Sequence, residues 1–425
     1  MRRVEWIPEK GGLSLLAWLE NAPMGPKFYW KSRDGAEEWA ALGNLQSFRA
    51  ESEAEAKKQL EVILRESASW PEGLRAVGGM RFWPDAAPAS RSPEWKEFPA
   101  FHFWIPRFEL GRRGDRFFAA VNAPASEPKR SEFSLSEGGV AFSPTPDFPG
   151  TSRRDEPERS EWIGRVEDLV ASIQKGTLEK AVLARKTVFK SPASFSPYPF
   201  LSARETTSEG QTLFLIESDE SVFWAATPER LLSWKGNAVE SDALAGTRLT
   251  EKNEELLHSA KELHEQSLVL DFLETCFGEY ASDLSVGKRG LRRSGSVEHL
   301  FSRVSGKLKP EKRLSDFIFA LHPTPAVGFA PKNQNAAFGP RELQKIEGFD
   351  RGWYAGAVGW FGAGAGELSV GIRSCLVQNR GAEKEWTFYT GAGITDESQA
   401  GAEWDELEAK LQATLRSSSR RPSPV

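Results

Sequence analysis

Residues 162–189 read WIGRVEDLVASIQKGTLEKAVLARKTVF, and this stretch decides what kind of fold the chain can form. Trp162, Val166, Val170 and Ile173 recur at helical spacing up to a stop near Gly176, and KAVLARKTVF then takes on the β-branched, apolar character of a buried strand. A helix that feeds directly into a buried strand predicts mixed α and β structure. Working outward, TLFLIES (212–218), SVFWAAT (221–227) and RLLSWK (230–235) read as further strands. Two segments rich in Leu, Ala, Glu and Lys read as helices, from about residue 250 to 280 and from about 398 to 415. Upstream, residues 51–66 carry Ala54, Leu60, Ile63 and Leu64 at helical spacing, within a first part that reads as a packed domain or sheet layer. From 122 to 160 the chain turns to Pro, Ser, Gly and charge, a loop composition that places a boundary there. The organisation predicted is an amino-terminal part over 1–150, a core over 160–415 and a tail over 416–425 with the composition of a disordered terminus.

A chain of 425 residues can hold one large domain or several ordinary ones, against a prior of roughly 150 residues per domain. Sixty acidic against 55 basic side chains leave a net charge of −5, which removes the bulk electrostatic case for a nucleic-acid partner. Cys276 and Cys375, the two cysteines, stand far apart, so neither a disulfide framework nor a CxxC metal knuckle can be built. The start MRRVEWIPEKGG lacks the apolar run of a signal peptide, and the uncharged stretch 352–366 is glycine-rich and too short to cross a bilayer. A soluble, cytoplasmic protein is expected, with no membrane association and no obligatory protein partner. No internal repeat is visible.

The absences narrow the chemistry. There is no GxxxxGK[ST] loop, no GxSxG elbow, and no HExxH pair among the five histidines, His102, His258, His264, His299 and His322. The glycines Gly362, Gly364 and Gly366 read better as tight turns than as a dinucleotide loop. The carboxylates are more informative. In AEWDELEAK, Glu403, Glu406 and Lys410 lie at i, i+3 and i+7 of a helix, and in KELHEQ, Glu262 and Glu265 are three apart. Two such acidic faces brought together would form an all-oxygen site suited to Mg²⁺, although most Glu/Lys stripes on helices are solvated faces and spacing alone does not decide between the two. Lys180 belongs to the otherwise apolar run KAVLARK, where an unpaired ammonium would be costly, as suits a general base; the alternative is a strand-end lysine in water. Glu229, in the turn-forming TPER, would be a neutral general acid if buried, or else a loop carboxylate paired with Arg230. Arg373 in SVGIRSC is a lone cation in a β-like run, able to hold a ligand carboxylate or an internal acid.

Taken in order, ten stretches resemble the chorismate-utilising enzymes: EKAVLARK (179–186), TPERLL (227–232), ALAGTR (243–248), SAKELHEQ (259–266), VEHLFSRVSG (297–306), LHPTPAVG (321–328), DRGWYAGAVGW (350–360), VGIRS (370–374), TGAGIT (390–395) and AEWDELEAK (402–410). The segment FYWKSRDGAEEWAALG (28–43) is similar to the menaquinone-type isochorismate synthases. The resemblance implies an α+β fold of two related subdomains, with large, mostly antiparallel sheets facing each other, helices outside and the active site between. It implies that Lys180 activates water for attack at ring carbon 2 of chorismate and that Glu229 protonates the departing hydroxyl at carbon 4. Glu265 and Glu406 would hold Mg²⁺, with Glu403 and Glu262 as direct or water-mediated partners. Arg373 and Lys410 match the cationic anchors for substrate carboxylates, Gly246, Thr247 and Gly393 match glycine-turn positions that approach the ligand, and His299 sits where the family has a histidine near the substrate.

Within the family, Ala245 stands where covalent-type aminodeoxychorismate synthases carry a nucleophilic lysine. LHPTPAVG is similar to the isochorismate synthase pattern, and Ala326 leaves room for water while offering no hydroxyl to promote pyruvate loss. The expectation is an isomerase, a Mg²⁺-dependent isochorismate synthase serving menaquinone synthesis; the alternatives are a lyase forming salicylate and pyruvate, and a non-catalytic binder of chorismate-like dicarboxylates. Gln266, Phe329 and Thr390 depart from common family residues without removing a proposed catalytic group.

Overall fold

The computed structural model describes residues 2–7, 14–23, 25–123, 142, 148–176, 178–249, 256–294, 297–331 and 338–415; the predicted tail over 416–425 lies outside them. Among the described residues 29% are helix and 41% strand, in two antiparallel sheets of twelve and ten strands. This is the α+β architecture expected.

The larger sheet runs from Arg2–Ile7 at one edge through Arg116–Asn122, Phe108–Arg113, Glu37–Leu42, Lys27–Lys31, Thr212–Glu217, Ser221–Thr227, Ser374–Arg380, Glu383–Ile394 and Leu178–Pro192 to Phe329–Pro331, with Thr151–Glu156 also paired to Leu178–Pro192. The smaller runs from Ala281–Val286 through Val297–Leu308, Ala238–Leu249, Arg230–Lys235, Ala365–Val370, Ala357–Gly362, Arg75–Met80 and Phe101–Ile105 to Gln46–Ala50, with Gly290–Ser294 alongside Val297–Leu308. Strands that precede residue 123 make up five of the twelve and three of the ten, so the first part of the sequence is woven into both sheets.

The apolar runs are continuous because the larger sheet is buried on both faces. In Thr212–Glu217, Phe214 and Ile216 enter one core while Leu213 and Leu215 enter another, the alternation that a strand imposes. The first core takes side chains from both sheets, among them Trp39, Phe103, Phe214, Phe223, Val358 and Phe361. The second packs the outer face of the larger sheet, through Trp224, Trp386 and Phe388, against Leu16 and Leu19 of helix Leu15–Asn21, Phe200 of helix Pro197–Ser202 and Leu411 of helix Ala400–Leu415.

Helix Arg159–Gln174 and strand Leu178–Pro192 form as the opening stretch predicts. The long helix is shorter than its composition suggested. It begins at Ala260, because Ser259 takes an extended conformation and its hydroxyl accepts from the Glu262 amide, a stop that residue counting overlooks; residues 250–255 lie outside the described chain. Helix Glu53–Ser67 likewise starts after a capping serine, Ser52.

One buried pair fastens the elements that meet at the site. The Arg351 guanidinium donates to Val327 O and Val182 O, both at 2.7 Å, and pairs with Glu347, which accepts from the Ala184 amide at 2.7 Å. The strand that carries Lys180 is thereby tied to the turn 321–328. Losing either member of such a pair leaves a bare charge in the interior, at a cost of about 3–5 kcal/mol.

Candidate active site

Lys180 lies on strand Leu178–Pro192, opposite Ala330 of the short strand Phe329–Pro331, and is fully buried. A lysine solvated at a strand end is therefore excluded, and the ammonium is not unpaired either. Its Nζ stands 2.7 Å from Glu265 Oε1 on helix Ala260–Tyr280. The neighbouring strand passes this pair as glycine. A Cβ on Gly393 would come within 2.5 Å of Glu265 Oε1 and 2.8 Å of Lys180 Cε, so a side chain there would push this pair out of its present position.

Glu229 follows strand Ser221–Thr227 and is 5% exposed. It does not pair with Arg230, which turns instead to Glu240 at 3.1 Å and Asp242 at 3.2 Å. Thr324 Oγ1 donates to Glu229 Oε1 at 3.4 Å, and the Glu229 amide donates to Thr227 Oγ1 at 3.2 Å. Burial drives the carboxyl up to about 7, with the Thr324 hydrogen bond and the Lys180 charge pulling weakly the other way. Glu229 is thus an acid that keeps its proton near neutral pH, within electrostatic reach of a buried lysine. Such a separation of roles is what general acid and general base catalysis require.

The remaining predicted residues gather around these two. His299 Nδ1 lies 3.0 Å from Gly246 O, and burial together with the Arg373 charge pushes the imidazole down to about 3. A neutral ring facing a carbonyl carries its proton on Nδ1. Gly246 has φ +67°, a conformation that favours glycine, and a Cβ there would lie 2.7 Å from Glu262 Oε2. Thr247 follows Gly246 in strand Ala238–Leu249. Ala326 is half-buried, in the turn whose Thr324 accepts from the Ala326 amide at 3.3 Å.

Two helices bring the acids together. Glu406 pairs with Lys410 at 2.5 Å, and Lys410 also donates to Gly391 O at 2.7 Å, on the strand that carries Gly393 and not in the glycine turn expected there. Glu403, 1% exposed, takes both Lys261 Nζ and Ser398 Oγ at 2.8 Å on Oε1, while its Oε2 is buried without a hydrogen-bond partner. Arg373 is not inside a strand. It sits in the bend before Ser374–Arg380 with φ +52°, because the chain must turn there between sheets, and Glu406 and Tyr354 stabilise its charge against burial. Among the described residues no three His, Cys, Asp or Glu side chains close around a single ion position.

Lys261 is the functional candidate that the residue reading missed. It was legible as the i, i+4 neighbour of Glu265 on one helix face. Of the departing residues, Gln266 is fully buried, donating to Ser302 Oγ at 3.2 Å and accepting from Arg289 Nε at 2.8 Å, and Phe329 packs on Phe338 at 5.4 Å. Thr390 Oγ1 is buried with no hydrogen-bond partner, and nothing in the structure explains its hydroxyl. A surface groove of about 530 Å³ lined by Glu61, Trp234, Arg313 and Ser315 includes none of the residues of this site.

A family profile for chorismate-binding enzymes matches residues 3–417. The chain is 28% identical over 416 residues to the isochorismate synthase MenF of Pasteurella multocida, covering 95% of this chain and 90% of the relative. It is 30% identical over 416 residues to MenF of Haemophilus influenzae, covering 95% and 89%. Among solved structures, the menaquinone-specific isochorismate synthase MenF of Escherichia coli superposes with a TM-score of 0.78 at 27% identity, over 98% of this chain and 94% of that one. Anthranilate synthase component I of Streptococcus pneumoniae shares the fold, with a TM-score of 0.71 at 20% identity over 91% and 93%.

Proposed function

The chain belongs to the chorismate-binding enzyme family, and from that premise we propose that it is an isochorismate synthase, an isomerase that adds water at carbon 2 of the chorismate ring and releases the carbon 4 hydroxyl. The observation that carries this reading is a buried, proton-holding Glu229 within electrostatic reach of a buried Lys180, supported by relatives named as isochorismate synthases across most of the chain.

The chemistry assigned to each group follows from what the ring requires. In the base role Lys180 must meet the ring as the amine, its ammonium proton given up to solvent beforehand; a water oxygen then bonds to carbon 2 as its proton passes to Nζ. The ring double bonds shift, the bond from carbon 4 to its hydroxyl breaks, and that hydroxyl leaves as water with the Glu229 proton. One water enters and one departs, so no oxidant or second substrate is needed. Thr324 orients the acid by its hydrogen bond to Oε1. His299, neutral and anchored on Gly246 O, presents a polar ring without a charge that would repel a cation or trap an anion. Arg373 and Lys410 would meet the substrate carboxylates. Ala326 adds no hydroxyl beside the ring, which favours release of isochorismate over pyruvate elimination.

The donors Glu262, Glu265, Glu403 and Glu406 are all carboxylate oxygens, and the partnerless buried oxygen of Glu403 is the kind of site that a hard divalent cation satisfies. These residues fit Mg²⁺, which would hold the ring carboxylate of chorismate and offset its charge when bound. Since the described acids do not enclose an ion by themselves, substrate and water would complete the coordination. Menaquinone synthesis is the pathway favoured, since relatives named MenF match over most of the chain. No described helix is long and apolar enough to cross a membrane, and a cytoplasmic location suits a small, soluble substrate.

Turnover in H₂¹⁸O tests the route. The product should gain one ¹⁸O per molecule, at the carbon 2 hydroxyl, by mass spectrometry. Isochorismate that retains only substrate oxygen would rule out attack by water.

A further inference from the structure

Helices Ala260–Tyr280 and Ala400–Leu415 each bring two glutamates to the site, and acids near one another need counter-charge to stay ionised. Three ammonium groups supply it here. Lys180 takes Glu265 at 2.7 Å, Lys410 takes Glu406 at 2.5 Å and Lys261 takes Glu403 at 2.8 Å.

The three lysines are not equally held. Lys180 is fully buried in a sheet strand. Lys410 is fixed a second time by its hydrogen bond to Gly391 O. Lys261 is 34% exposed, reaches from the first turn of helix Ala260–Tyr280 across to helix Ala400–Leu415, and has Glu403 as its ion-pair partner. Its charge is also favoured by Glu406 and Glu265, so three of the four acids act on this one ammonium. A long, flexible stem near the surface lets that ammonium move into water at little cost. Glu403, in contrast, is 1% exposed and keeps Oε2 without a partner. Its carboxylate stays in place whether or not Lys261 does.

We propose that Lys261 is the resident counter-cation of the acidic cluster, occupying the electrostatic position of the divalent ion and swinging out to solvent when the ion takes the Glu403 oxygens. This deepens the magnesium reading above and rests on it. Lys261 thereby sets how weakly the substrate-free protein holds a divalent ion: the ion must displace a cation already seated. It is a positioning residue, with no part in the proton transfers.

Mn²⁺ binding to the substrate-free protein, followed by the loss of the free-ion electron paramagnetic resonance signal, provides the test. Lys261→Met should bind Mn²⁺ about tenfold tighter or more than the native protein, since one contacting positive charge no longer competes. Lys261→Arg, which keeps the charge, should not. In the native protein, acylation of Lys261 by an amine-reactive reagent, quantified by mass spectrometry, should rise severalfold once Mn²⁺ saturates the site. Binding to Lys261→Met no tighter than to native protein, or acylation of Lys261 unchanged at saturation, would overturn the proposal while leaving the metal site standing. Native protein that binds no Mn²⁺ with or without chorismate would overturn the metal reading itself.

Discussion

Lys180→Ala is expected to lower kcat about 10³-fold or more while leaving chorismate binding within a few-fold of native. The ammonium is fully buried and opposed by Glu265, and strand residue Gly393 packs so closely on it that a Cβ there would lie 2.8 Å from Lys180 Cε. Removing it leaves Glu265 without its partner but, at 17% side-chain exposure, not sealed from water, so the protein should fold. Single-turnover kinetics and equilibrium binding of chorismate separate the two effects. A variant that turns over at a near-native rate would remove Lys180 as the base; a variant that loses binding and rate in equal measure would make it an anchor instead.

Glu229→Gln should cost about 10²–10⁴-fold in kcat, because the amide keeps the shape and the Thr324 contact but cannot deliver a proton to a poor leaving group. The pH dependence carries the same assignment with a definite sign. Burial raises the Glu229 carboxyl to about 7, so the proton needed for hydroxyl departure is present below that pH and is lost as pH climbs through it. Native kcat/KM should therefore fall on the alkaline side of about 7, and the residual activity of Glu229→Gln should lack that limb. An alkaline limb unchanged in the variant would place the titrating acid elsewhere.

Local sequence carries the strands, since each depends on alternation within a few residues. Thr212–Glu217, Ser221–Thr227 and Arg230–Lys235 match their apolar runs because the larger sheet is buried on both faces and its neighbour on its inner face. The site residues were legible as motifs, and the structure collects Lys180, Glu229, His299, Gly246, Gly393 and Lys410 with the acids of two helices. Which partner each residue takes was not legible. Lys180 meets Glu265 from 85 positions away, and Lys261 meets Glu403 from 142, through packing that no local pattern encodes. Glu229 was ambiguous for the same reason: Arg230 is its neighbour in sequence, yet Asp242 claims that arginine, together with Arg33 and Arg292. The interleaving of early strands into both sheets is equally a matter of long-range pairing, visible in neither composition nor period.

Assignment as an isochorismate synthase is tested most directly by what the purified protein makes from chorismate. Chromatography with mass spectrometry, on reactions supplied with Mg²⁺ or with EDTA, should show isochorismate only in the presence of the ion and no pyruvate in either. Salicylate with pyruvate, or unchanged chorismate in the presence of Mg²⁺, would contradict it.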